Sequence, residues 1–403
     1  MVFISSIKKV YQANSKLYLF IGLNCINIII VNYFRNIQDF EIPPWLRLWT
    51  YLSLISLSIG IYILFIKKKK IILSNLTLVW LLLLVLETIL FFVLGMPLAL
   101  KKNFVLPELP SNHIATKLGS VMYADSTIHK VLVNGNDTVF NVHYTVDQFH
   151  KRVTPDYDSL KKEYALFFGC SIAFGEGLED NQTFAYQIQQ KSKRYNSYNF
   201  SCSSTGSNYM LALLQNISLK PQVREEKGKA FYIFFWDHMY RSIGAMDRYT
   251  SWMNMSPYYY LKNGKIVRKK MFKDGRPIIS TIYENIYQSN IVKYFQLDFP
   301  LSLNDTHFDL VTEMIAESKR CYEKQFGNDE FYVVLYPNYV EYTEEQLNTF
   351  KRFLKKKDIK FVDLTKVINY NVRYTLGGDP HPNANTNKLL SNSLLNEMKK
   401  MNK

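Results

Sequence analysis

Two short segments carry residue types at spacings suited to nucleophilic acyl chemistry. The first reads Gly169-Cys170-Ser171-Ile172-Ala173-Phe174-Gly175-Glu176-Gly177. It follows an apolar run and places Ser171 at a strand-to-helix corner. A hydroxyl there projects from the strand's carboxyl end, and nearby backbone N–H groups can face a developing oxyanion. The second reads Gly377-Gly378-Asp379-Pro380-His381-Pro382-Asn383, just before the last helical pattern. A histidine in such a loop can reach back over a sheet edge and take the proton of Ser171. An adjacent carboxylate would hold its tautomer.

The elements that must position these residues alternate. Strand-like apolar runs fall at 164–168, 197–200, 230–236, 331–336 and 360–364. Helical patterns fall near 182–194, 206–218, 308–326, 343–357 and 383–401, and Thr343 with Gln346 suits a capping box. Five buried strands alternating with helices predict a doubly wound, flavodoxin-like parallel sheet. Sites in such sheets lie at the carboxyl ends of the strands, where both segments fall. Residues 103–160 read as a short β-rich lead-in, with a hairpin signal at Asn134-Gly135. Residues 241–307 interrupt the alternation with an aromatic insertion that holds a second hairpin signal, Asn263-Gly264. The insertion is read either as a substrate wall or as a packing appendage.

Together the two segments resemble the opening and closing blocks of the SGNH/GDSL hydrolase superfamily. The similarity covers roughly residues 140–403, including the lead-in Tyr144 to Arg152. It implies Ser171 as nucleophile, His381 as general base and Asp379 as its orienting acid. It also implies an oxyanion hole from the backbone N–H groups of Ser171 and Gly206, the latter in Asn199 to Gly206. The family's third block normally supplies an asparagine. Here the third strand ends Trp236-Asp237-His238-Met239-Tyr240-Arg241. An ionised aspartate cannot donate, so His238, or the Trp236 indole, is the candidate third donor. Trp236, Asp237, Asn208 and Arg241 are the candidate substrate-binding residues. Asp379 lies two residues before His381, where three is commoner in the family.

Charge and hydropathy set the location. Residues 1–102 hold 11 Lys/Arg against 3 Asp/Glu, and residues 103–403 hold 38 against 31, so about half of the net +15 sits in a quarter of the chain. That quarter holds three apolar runs, near 17–34, 48–66 and 71–98, which predict about three membrane helices. This pattern points to membrane topology rather than nucleic acid. Basic residues before the first run and at 67–70 place those segments in the cytoplasm and everything after Leu100 outside it. Glu87 is the one charge in the third run. It reads as a polar contact within the helix bundle more readily than as a proton relay, because no second ionisable group lies within the runs. Four cysteines exclude a disulfide scaffold. Cys170 and Cys202 are read as buried thiols, with a disulfide as the lesser alternative.

The function expected is that of a multi-pass, membrane-anchored serine esterase or O-acyltransferase, without cofactor or metal. Its catalytic domain lies in the periplasm or at the cell surface. The resemblance implies O-acetyl groups of a cell-envelope glycan as substrate, a lipid ester as the other option, and a membrane acyl-donor protein as partner if it transfers. The alternative is a catalytically impaired glycan-binding or scaffolding module. A transporter built on the helices is the weakest reading.

Overall fold

The computed structural model describes residues 44–67, 70–94, 105–106, 113–135, 137–337 and 342–402. The chain divides into two compact units. One comprises residues 1–102 with 285–297, the other residues 103–284 with 298–403.

In the first unit, helices α1 (Pro44–Lys67) and α2 (Ile71–Val93) pack together, with Tyr51 edge-on to Phe91. Among the described residues only α2 is long and apolar enough to cross a membrane. Of the three expected spans, the one at 71–98 holds a helix that meets that test. In α1 the apolar stretch is Thr50–Ile63. The run at 17–34 lies outside the described residues.

The second unit begins with the lead-in. Strands β1 (Val105–Leu106), β4 (Ser126–Asn134) and β5 (Asp137–Val146) form one antiparallel sheet. Strands β2 (His113–Thr116) and β3 (Gly119–Met122) form a hairpin. The Asn134-Gly135 signal is the β4–β5 turn, with Asn134 opposite Asp137. The side chains of Ile128, Leu132, Phe140, Val142 and Tyr144 close over Phe174, which follows the candidate nucleophile.

The main sheet has five parallel strands: β6 (Glu163–Phe168), β7 (Tyr195–Asn199), β8 (Lys227–Phe234), β11 (Phe331–Leu335) and β12 (Lys360–Asp363). Their spatial order is β12-β11-β8-β6-β7. This is the flavodoxin-like order, as expected. Alternation along β6 explains the two layers. Tyr164, Leu166 and Phe168 enter one core with helices α5 (Ser207–Asn216), α9 (Asp305–Phe326) and α10 (Glu344–Lys356). Ala165 and Phe167 enter the other with α4 (Phe184–Lys191) and α11 (Ala384–Lys400). Strands buried on both faces read as continuous apolar runs, which is why they were visible in sequence. The Thr343 capping box forms as expected.

The insertion divides. Strands β9 (Pro257–Lys262) and β10 (Lys265–Met271) form the second hairpin, whose Asn263 and Gly264 both have positive φ, 53° and 73°. These are the angles of a tight hairpin turn. Residues 285–297 instead belong to the unit that holds α2.

One contact tests the sheet that carries the site. Gly228 on β8 lies against Tyr164 on β6, and a Cβ there would sit 2.2 Å from the Tyr164 carbonyl oxygen. A backbone oxygen inside a parallel ladder cannot step aside. Gly228→Ala is expected to cost at least about 1–3 kcal/mol by overpacking, read from denaturant unfolding of the detergent-solubilised chain. An unchanged midpoint would refute the close approach.

Candidate active site

Strand β6 ends at Phe168, and the chain turns at once into the four-residue helix α3 (Ser171–Phe174). Ser171 is therefore the first residue of a helix, where backbone N–H groups have no intrahelical acceptor. Among the described residues, no group accepts from the N–H of Ser171 or of Gly206, the N-cap of α5. Both remain available to an incoming oxygen.

The C-terminal loop brings its residues to this corner. His381 Nε2 lies 2.8 Å from Ser171 Oγ. Its Nδ1 lies 2.6 Å from Asp379 Oδ1. The same carboxylate oxygen accepts the backbone N–H of His381 at 2.8 Å. A spacing of two is therefore functional here: one oxygen holds both the ring and its own main chain. Burial works to raise the Asp379 pKa, but the His381 ring and backbone N–H outweigh it and hold the carboxyl below its ordinary value. An ionised Asp379 takes the Nδ1–H, which leaves Nε2 as the acceptor for the Ser171 hydroxyl. The loop is fixed from behind by Leu376 N donating to the His381 carbonyl at 3.0 Å. Leu376 also fits the place of the missing Cβ at Gly177, which has φ 72°.

A second carboxylate went unread in the sequence. Glu176 is buried, beside Lys130 of β4, and accepts from Ser203 Oγ at 2.7 Å and Tyr144 OH at 3.3 Å. Burial opposes its charge. The positive fields of Lys130 and His381, with hydrogen bonds from Lys130 and Ser203, prevail and hold its pKa at about 2. Its signal was faint because Lys130 lies 46 residues away in sequence.

The third-donor assignment is corrected. His238 is fully buried, 2.7 Å by Nδ1 from Tyr232 OH, and stacked on the Tyr232 ring. Its Nε2 has no exposed surface, and neither does Trp236 Nε1. An oxyanion arriving from solvent reaches neither atom without rearrangement. Desolvation also pushes the His238 pKa well down, so the ring is neutral.

The expected substrate-binding residues are likewise interior. Asn208 donates to the Pro257 carbonyl at 3.0 Å. Arg241 Nε donates to Asp237 at 2.6 Å, and its Nη1 to the Thr205 carbonyl at 2.9 Å. Arg248, unread in sequence, donates to the other oxygen of Asp237 at 2.8 Å. Trp236 packs on Tyr342 and Phe350. These side chains are buried and make the contacts just described within the protein. Cys170 and Cys202 are reduced and buried, and burial pushes the Cys202 thiol up to about 12.

No family model and no curated protein matches the chain. Among solved structures it is similar to an acetyl xylan esterase from Butyrivibrio proteoclasticus, at 10% identity and TM-score 0.36, covering 61% of this chain and 65% of that one. The chain thus spans less than two thirds of that protein's length. A lipolytic G-D-S-L family protein from Veillonella parvula matches at 10% identity and TM-score 0.33, over 58% and 97% of the two chains. A carbohydrate esterase family 2 enzyme from Corynascus thermopiles matches at 12% identity and TM-score 0.32, over 66% and 71%. These neighbours include esterases and G-D-S-L proteins, the grouping that the sequence blocks resemble. Any function of this chain must come from its own side chains.

The buried carboxylate gives a pH test. Because the folded pKa of Glu176 lies below that of the unfolded chain, its contribution is complete above the unfolded value and lost as pH falls through the folded one. A drop from 4.5 to about 2 corresponds to roughly 3 kcal/mol. Glu176→Gln is expected to be less stable than wild type at neutral pH, with the gap closing between about pH 5 and 2. Chemical unfolding across that range measures it, and a gap independent of pH would contradict the ionised, paired state.

Proposed function

We propose that the chain is a serine-dependent ester hydrolase or O-acyltransferase, anchored in a membrane with its catalytic unit outside the cytoplasm. The observation that carries this reading is the continuous relay from Ser171 Oγ through His381 to Asp379, with contacts of 2.8 and 2.6 Å. The Ser171 oxygen attacks an ester carbonyl while His381 Nε2 takes its proton. The N–H groups of Ser171 and Gly206 receive the negative charge of the tetrahedral oxygen. Collapse breaks the ester C–O bond, and the leaving alkoxide takes the proton from His381. Water, or a sugar hydroxyl, then gives its proton to His381 and attacks the acyl-enzyme; the bond from the acyl carbon to Ser171 Oγ breaks, and Oγ takes the proton back from His381. The first outcome is hydrolysis and the second is transfer.

For substrate we propose O-acetyl groups of a cell-envelope glycan, with a lipid ester as the competing class. The resemblance in the two sequence blocks supports the acyl chemistry, and α2 supports the anchor. A catalytically impaired binding module is the second reading, and the burial of both third-donor candidates favours it. Loss of one oxyanion donor typically costs roughly 100- to 1000-fold in rate. That slows an enzyme without abolishing it.

Labelling of the full chain with a fluorophosphonate separates the two. Wild type is expected to label and Ser171→Ala to be blank. Asp379→Asn should turn over ester about 10⁴-fold more slowly, since the ring loses its tautomer, with an unchanged unfolding midpoint. A folded wild type that does not label would leave the binding module. For the topology, a reporter fused after Lys403 is expected to be active only outside the cytoplasm. Activity inside would reverse the orientation.

A further inference from the structure

The charge inside the membrane helix has a specific partner. Glu87 on α2 is 8% exposed. Its carboxylate accepts from Ser289 Oγ at 2.7 Å, from the backbone N–H groups of Asn290 and Ile291 at 2.5 and 3.1 Å, from Asn290 Nδ2 at 3.0 Å and from Tyr51 OH at 3.2 Å. Three of the residues that supply these donors lie about two hundred positions away, at the start of a short helix, α8 (Asn290–Tyr294). A carboxylate with five donors is paid for in an apolar surround. The bundle contact expected from sequence is thus made largely by a distant segment.

The position of Glu87 sets a depth. It lies six residues before the end of α2 at Val93, about 9 Å along the axis at 1.5 Å per residue. An element that docks there sits below the end of the membrane helix by the depth at which amphipathic interfacial helices lie, about 5–10 Å. The segment suits that place. Tyr294 and Phe295 are 48% and 55% exposed. Ile286 and Leu297 near its two ends are each 37% exposed. From 285 to 297 the only acidic or basic residue is Lys293.

We propose that residues 285–297 form a second membrane-contacting element, a short helical segment whose apolar face lies in the lipid interface and which Glu87 seats on the membrane helix. The occupant of that face is the bilayer. The argument is its continuity, within one compact unit, with α2, whose own Leu76, Trp80 and Leu82 are exposed at 62%, 53% and 60%. The inference rests on the anchored reading above, in that α2 must itself be in lipid.

The test uses nitroxide labels on the full chain in phosphatidylcholine vesicles. Cys25 and Cys321 are replaced by serine, while Cys170 and Cys202 are buried and escape labelling. Single cysteines are placed by Tyr294→Cys and Phe295→Cys. Leu82→Cys serves as the lipid reference and Leu160→Cys, at an 80% exposed position, as the water reference. Collisions with oxygen and with a water-soluble nickel chelate are compared. Positions 294 and 295 are expected to favour oxygen, as position 82 does. If 82 favours oxygen while 294 and 295 match 160, the proposal fails and the anchor stands. If 294 and 295 are shielded from both reagents, a protein covers the face and the proposal fails. If 82 itself matches 160, the anchored reading fails and takes the proposal with it. Adding Glu87→Leu is expected to shift position 295 toward the nickel accessibility of position 160; no shift would remove Glu87 as the seat.

Discussion

The buried guanidinium of Arg152 is the interaction on which the site's geometry depends. Its Nε donates to Asp180 at 2.7 Å, Nη1 to the Gly175 carbonyl at 3.1 Å, and Nη2 to the carbonyls of Leu178 and His143 at 2.6 and 3.3 Å. The rings of Tyr144 and Phe174 lie 4.2 and 4.9 Å from it. Its backbone bridges Val146 of β5 and Asn199 of β7. One side chain therefore gathers the loop that follows Ser171, while its main chain joins the lead-in to the main sheet. Each carbonyl deprived of this donor would cost about 1–3 kcal/mol if left buried. The lead-in is thus a part of the active-site wall.

That wall fixes a field as well as a shape. Tyr144, held under Arg152, accepts Gly177 N at 2.7 Å and donates to Glu176. Lys130 from the same sheet keeps Glu176 charged. His381 accordingly stands near two carboxylates, Asp379 in contact and Glu176 at longer range. In a partly desolvated site such fields are stronger than in water.

Residues whose signal is local were legible in the sequence. The five strands, their helices and the Thr343 cap follow from period and composition, and Ser171 and His381 from their turns. What sequence did not show depends on side-chain direction or on distant pairing. His238 lies four residues beyond the end of β8, at the start of a short helix, and its ring is buried against Tyr232. Polarity at a strand end does not say which way a side chain points. Glu176 with Lys130, and Glu87 with Asn290, join positions 46 and 203 apart. No periodicity records such pairs.

The buried polar residues beyond β8 acquire a different purpose once they are seen as framework. A Cβ on Gly206 would lie 3.1 Å from Arg241 Cβ, 3.1 Å from Asn208 Oδ1 and 3.2 Å from Ser242 Oγ. The same residues are held elsewhere: Arg241 to Asp237 and to the Thr205 carbonyl, Asn208 through its Nδ2 to the Pro257 carbonyl, and Ser242 to the N–H of Ser207 at 3.1 Å. Gly206 is thereby held on both sides by its immediate neighbours in the loop, with its own N–H left unspent. A donor that is rigidly placed need not reorganise when charge develops, which is the source of its catalytic value. Gly206, the second donor of the proposed oxyanion hole, is thus braced by the very residues whose types had suggested contact with substrate.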